Sequence, residues 1–311
     1  LEGEHWFYYN LGVLTVVHDP SNELKKLIIL ENAFIATMYW NNSAKKVELG
    51  ILDERHGKSM SPFTHYYLHL TRGAQYLYGL GVSDIISTGD GSLNSHAQFG
   101  TSSGAYLDED IEHIINEVIV GSTIPVVYNL GVNATIRVGE QSGFGVLNAP
   151  AGRLYYNQID RGDWKLTEVT DRDFVLYHIF AINGITTQIV SIMGQNEYGS
   201  SANARAGANE EIANILSSLP FAEFVPLGTI IYQTRNTYGN DVKARIISTD
   251  TGEDYVDWKS TEIISGSNPS SHLNLTNLEL AGSGVTWGHI DNQSQSISGK
   301  KTFSDNINIS S

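Results

Sequence analysis

Three imidazoles, those of His56, His65 and His69, fall within fourteen residues. At i and i+4, His65 and His69 would share one face of a helix, a spacing at which two side chains can ligate one metal ion. A zinc protease of this type needs a glutamate general base next to its first histidine. Here the segment runs His65-Tyr66-Tyr67-Leu68-His69 and the base is missing. The competing role is structural, with the imidazoles bonding backbone or carboxylates around a short helix together with Arg55 and Arg72. Carboxylates suited to general acid–base work occur in pairs at Asp108-Glu109-Asp110, Asp171/Asp173 and Glu253-Asp254. Glycoside cleavage needs two such groups facing each other across a cleft, whereas acidic runs in a chain this negative usually form solvated turns.

Other chemistries find less support. Gly89-Asp90-Gly91 suits a tight turn better than a calcium loop, because the regularly spaced oxygen ligands do not follow. No Gly-x-Ser-x-Gly elbow, kinase or phosphate-loop signature is present, and Ser102-Ser103-Gly104 and Ser142-Gly143 read as ordinary loops. The run Met193-Gly194-Gln195-Asn196-Glu197-Tyr198 is compact enough to bind a polar ligand and equally suited to packing a strand-to-helix turn. The chain has no cysteine, so thiolate nucleophiles, thiolate metal sites and disulfides are excluded. Its net charge of −15, with no basic block, argues against nucleic acid as a partner. No apolar stretch approaches the ~20 residues of a membrane-spanning helix, so membrane insertion is not expected. Nothing calls for a cofactor.

The elements that must hold these residues are mostly strands. Short apolar runs separated by Asn, Asp, Ser, Thr and Gly recur along the 311 residues, the punctuation of a β-dominated domain. Strands are predicted at 6–9, 13–17, 27–30, 33–40, 47–52, 76–80, 118–120, 126–130, 174–181, 187–193, 227–234 and 243–248. Helices are predicted at about 204–218, where Ile212, Ile215 and Leu216 share a face and Pro220 limits extension, and at 61–70, with Ser61 as cap, Pro62 at the first turn and Gly73 as a stop. The 16 Tyr, 10 Phe and 5 Trp mostly fill sheets, with exposed ones suited to glycan stacking or an interface. Composition changes near residue 260. The remainder, 260–311, has one Trp, one Phe and no Tyr among abundant Ser, Asn and Gly. Such a segment cannot offset its ordering entropy alone and would borrow burial from neighbouring copies. The expected organisation is a β-rich globular domain at 1–259, either β-sandwich-like or mixed with one or two short helices, followed by an extended fibre-like segment at 260–311. The start at Leu1-Glu2-Gly3-Glu4 and the alternating end at Asn306-Ile307-Asn308-Ile309 lead us to expect more protein beyond both ends.

One series of motifs resembles a known family. His272-Leu273-Asn274-Leu275-Thr276-Asn277-Leu278, then Gly288-His289-Ile290, then Gln295-Ser296-Ile297-Ser298-Gly299-Lys300-Lys301-Thr302-Phe303 resembles the H-x-x-L-x-N-L, G-H-I and Q-x-I-x-G-x-K-T-F pattern of bacteriophage tail-fibre and virion appendage proteins. Upstream, Asp53-Glu54-Arg55-His56-Gly57, the stretch from Thr64-His65 to Thr71-Arg72-Gly73, Ile192 to Tyr198, and Ser248-Thr249-Asp250-Thr251-Gly252 look similar to stretches of tail-fibre or virion structural proteins of phages. The resemblance implies a non-enzymatic structural subunit in the virion tail and a homotrimer bound to other tail proteins, with host surface glycan or protein as a further partner. It implies no catalytic residue. Leu273, Leu275, Leu278, Trp287, His289, Ile297 and Phe303 would complete the core between chains in the shaft segment. Two alternatives stand beside it: a glycan-cleaving tailspike-type depolymerase, and a passive hub or collar protein.

Overall fold

Phe174–Ala181 runs eight residues with no acid, Lys or Arg, and seven of the eight are buried. A strand apolar on both faces belongs in the middle of a sheet covered on both sides, and a computed structural model of the chain places it there. The structure describes residues 1–53, 60–61, 63–64, 67–68, 72–108, 111–150, 152–184, 187–218 and 224–259. All of them belong to one compact unit, Leu1–Ile263.

The protein is mainly β. Its N-terminal sheet has the order β2-β1-β3-β4, from β1 (Gly3–Asn10), β2 (Val13–His18), β3 (Ala33–Asn41) and β4 (Lys46–Asp53), all antiparallel. Helix α1 (Asn22–Glu31) crosses one face and packs Ile28 against Trp6 and Phe34, whose rings stack at 4.7 Å. Next come β5 (Ala74–Gly79), β6 (Val82–Ser83), β7 (Gly100–Thr101), β8 (Gly104–Asp108) and β9 (Ile111–Ile115), forming sheets β5-β8-β9 and β6-β7. The main sheet is built from β10 (Val126–Leu130), β11 (Thr135–Gly139), β14 (Phe174–Ala181), β15 (Ile189–Tyr198), β16 (Val225–Thr234), β17 (Ala244–Ile247) and β18 (Val256–Asp257). Its order is β11-β10-β15-β14-β16-β17, with β18 pairing β16. The ribbon β12 (Tyr155–Asp160) and β13 (Asp163–Glu168) stands beside it.

Strand alternation divides the main sheet's side chains between two cores. Val175, Tyr177, Ile179 and Ala181 face a cluster with Leu80, Phe99, Tyr106, Phe144 and Leu154, contributed by the small sheets and loops. Leu176, Phe180 and Ile182 face helix α2 (Ser201–Ser218) through Ala204, Ala208, Ile212 and Ile215. The small alanines bring the helix close to the sheet. Ser200 starts α2 by accepting from the Asn203 backbone N–H at 3.1 Å. A helix and not a second sheet covers this face of the main sheet.

Two predicted strands are corrected. The run at 27–30 is helical, because Ser21 caps α1 by accepting from the Leu24 N–H at 3.3 Å and Glu23 sits in the first turn. A four-residue apolar run does not distinguish strand from helix, and the cap decides it. At 118–120 only Val118 bridges, to Thr101. Gly121 at φ +82° and the Ser122 N–H bond to the Ile119 carbonyl fold the rest into a turn. The helix at 61–70 is described in part. Ser61 Oγ accepts from the Thr64 N–H at 3.2 Å, and Gly73 takes φ +53° where the stop was predicted.

Candidate functional site

A hydroxyl, an imidazole and a carboxylate come together on the helix-facing side of the main sheet. His178 on β14 approaches Thr229 Oγ1 of β16 at 2.7 Å through Nδ1, and Glu211 Oε2 of α2 at 3.2 Å through Nε2. Glu211 Oε2 also accepts from the Gln195 N–H at 2.9 Å. Its Oε1 accepts from the Asn196 N–H at 3.0 Å, the Asn196 amide at 3.1 Å and the Tyr198 hydroxyl at 2.7 Å. Every neighbour of this carboxylate is a donor, and only an acceptor at both oxygens satisfies them. With Nε2–H donating to Glu211, His178 Nδ1 accepts from the Thr229 hydroxyl. That hydroxyl accepts in turn from the Trp258 indole N–H at 2.7 Å.

The order hydroxyl–imidazole–carboxylate is that of an acyl-transfer relay. Here His178, Glu211 and Thr229 are all 0% exposed, and no substrate reaches the hydroxyl. The network joins helix to sheet, and two glycines make room for it. A Cβ on Gly194 would lie 2.6 Å from Glu211 Oε2 and 2.5 Å from the Leu176 carbonyl, and one on Gly207 would meet the Tyr198 hydroxyl at 2.2 Å. Burial first, and the Glu211 charge second, push the Tyr198 phenol well above its usual range. Of the two roles open to Met193 to Tyr198, the strand-to-helix packing role is the one its contacts serve.

Most of the other predicted acids accept hydrogen bonds from neighbouring side chains or backbone. Asp90 accepts from the Ser92 N–H at 3.0 Å and from the Ser92 hydroxyl, a tight turn that holds its carboxyl below the usual range. Glu253 accepts from the Thr249 and Thr251 hydroxyls and is lowered by them. Asp254 accepts from the Ser87 hydroxyl at 2.7 Å, and Asp171 from the Asn236 N–H at 2.8 Å. Asp108 is buried with a carboxylate oxygen 3.5 Å from His113 Nε2. Asp173 differs. Burial and the nearby Glu197 charge raise its carboxyl above the usual value. His56, His65 and His69 lie outside the described residues, as do Leu273, Leu275, Leu278, Trp287, His289, Ile297 and Phe303. Among the described residues no group of three metal-ligating side chains is present, and no helix is long and apolar enough to cross a membrane.

An open cleft of about 630 Å³ lies where the N-terminal sheet and α1 meet the β10–β11 hairpin and β13, lined by Glu4, Asp19, Lys25, Asn129, Asn133 and Trp164 among others. Glu4 and Lys25 form an ion pair at 2.7 Å whose side chains are only 10% and 8% exposed. The ammonium lies 5.4 Å from the Trp6 ring centroid. Asp19 accepts from the Glu4 N–H at 2.8 Å and sits 3.5 Å from both Arg137 and His18. Asn129 is fixed through its backbone, which exchanges bonds of 2.7 and 2.9 Å with the Asn157 side chain. Trp164 is set by a pair of backbone bonds to Gly131. No sequence motif marks this cleft. Its ion pair joins residues 21 positions apart across an element read as a strand, and its tryptophan sits on a ribbon that was not predicted. Compared with protein-family models, curated proteins and solved structures, the chain matches none.

Proposed function

We propose that the chain is a structural subunit of a bacteriophage tail fibre or tail appendage, acting as a homotrimer bound to other tail proteins and presenting its globular unit to the host surface. The observation that carries this is the ordered motif series between His272 and Phe303, in a segment too poor in apolar residues to complete a core alone. The closed hydrogen bonding of the buried His178–Glu211 network, together with the turn and loop bonds made by the exposed acids at 90, 253 and 254, supports a role in architecture. Immunogold labelling with antibodies to the chain tests the location. Gold on the tails of virions that encode it is the expected result, and unlabelled virions would overturn it.

One observation favours a second role, glycan cleavage by a tailspike-type depolymerase. A raised, half-buried carboxyl at Asp173 beside the Glu197 charge is the pairing from which a general acid is made. Polysaccharide degradation by the purified chain, abolished in Asp173→Asn, would establish that role in place of a purely structural one.

A further inference from the structure

From the cleft between the N-terminal sheet and the β10–β11 hairpin, we infer a binding site for a neutral saccharide, held by the Glu4–Lys25 pair, the amides of Asn129 and Asn133, and the Trp164 indole. Burying an ion pair is unfavourable unless its remaining hydrogen-bonding capacity is met. Glu4 uses Oε2 on Lys25, while its Oε1 has no hydrogen-bond partner among the described residues. Lys25 has Glu4 as its hydrogen-bond acceptor, with the Trp6 ring nearby. An acceptor and a donor thus stand side by side at the cleft wall. Adjacent ring hydroxyls match that pair, one donating to Glu4 and the other accepting from Lys25.

Two further features specify the class. The side chains of Asn129 and Asn133 make no hydrogen bond among the described residues, and each carries both donor and acceptor, as hydroxyl recognition requires. Trp164 is half-buried and has no ring partner among the described residues, leaving an aromatic surface for the apolar face of a pyranose. The carboxylate of Asp19 in the same wall and the net charge of −15 select against acidic sugars. A volume of about 630 Å³ accommodates a short oligosaccharide.

This site deepens the attachment part of the proposed function and rests on it only for the source of the glycan, a cell surface. The test is binding of the labelled full chain to an array of neutral oligosaccharides and uronic-acid counterparts, repeated with Trp164→Ala, Trp164→Phe and Asn133→Ala. Expected is capture by neutral glycans, weakened about tenfold in Trp164→Ala and largely restored in Trp164→Phe. Asn133 is exposed, so Asn133→Ala should keep the fold and weaken binding about fivefold. Binding to no neutral glycan, preference for the acidic set, or affinities indifferent to all three variants would overturn the proposal. The oligomeric state of the same samples reports on the fibre role separately, so a trimer that binds no sugar defeats this site alone.

Discussion

Gly194 has no side chain because a carboxylate and a carbonyl occupy the space where one would begin. Gly194→Ala is expected to destabilise the fold by about 1–3 kcal/mol, as overpacking does, through displacement of Glu211 from its donors. At Gly199 a Cβ would meet nothing within 4 Å, so Gly199→Ala should stay within about 0.5 kcal/mol of the parent. Urea unfolding of the two variants separates crowding from a general glycine effect. The phenols provide a second residue-scale prediction. Burial raises Tyr39, Tyr177, Tyr198 and Tyr232 above the ordinary 10.0. The fold therefore favours their protonated forms, and that stability is complete below the unfolded value and lost as pH climbs past it. The thermal midpoint should fall above about pH 10, less steeply in Tyr198→Phe than in the parent. At this scale the cluster from Gln195 to Tyr198 was visible in sequence as two competing roles. Its partner Glu211 lies in the middle of the next helix, outside any local pattern.

At the level of elements, the β12–β13 ribbon turns through Arg161 and Gly162, with φ of +53° and +86° and Asp160 opposite Asp163. This is a two-residue hairpin turn that calls for left-handed backbone at both positions. Nothing lies within 4 Å of a Cβ built on Gly162, so Gly162→Ala reports conformational strain alone. A loss of about 1–2 kcal/mol is expected, measured as amide exchange accelerated first in β12 and β13. Strands β10 and β14 fall at the bounds their apolar runs predict, and α2 begins three residues earlier than its periodicity indicates. The ribbon escaped prediction because Asp160, Asp163, Lys165 and Glu168 dilute its alternation, while its burial comes from core residues such as Tyr156 and Leu166 packing on a distant sheet. Helix α1 escaped because a cap outside the apolar run, Ser21, decides between two periodicities.

For the molecule as a whole, the mainly β class follows from the punctuation of short apolar runs, and the structure has it. The pairing order is not legible in the same way. The main sheet joins β10 to β15 in parallel across some sixty residues, and the N-terminal sheet reaches it through Tyr39 against Val138. These are long-range choices that local patterns do not encode. The proposed assembly has one direct test: light scattering of the full chain beside a chain ending at residue 259. A trimeric full chain, with the shortened chain folded and monomeric, is the predicted result. A folded, monodisperse monomer in both cases would contradict the claim that residues 260–311 complete their core between copies.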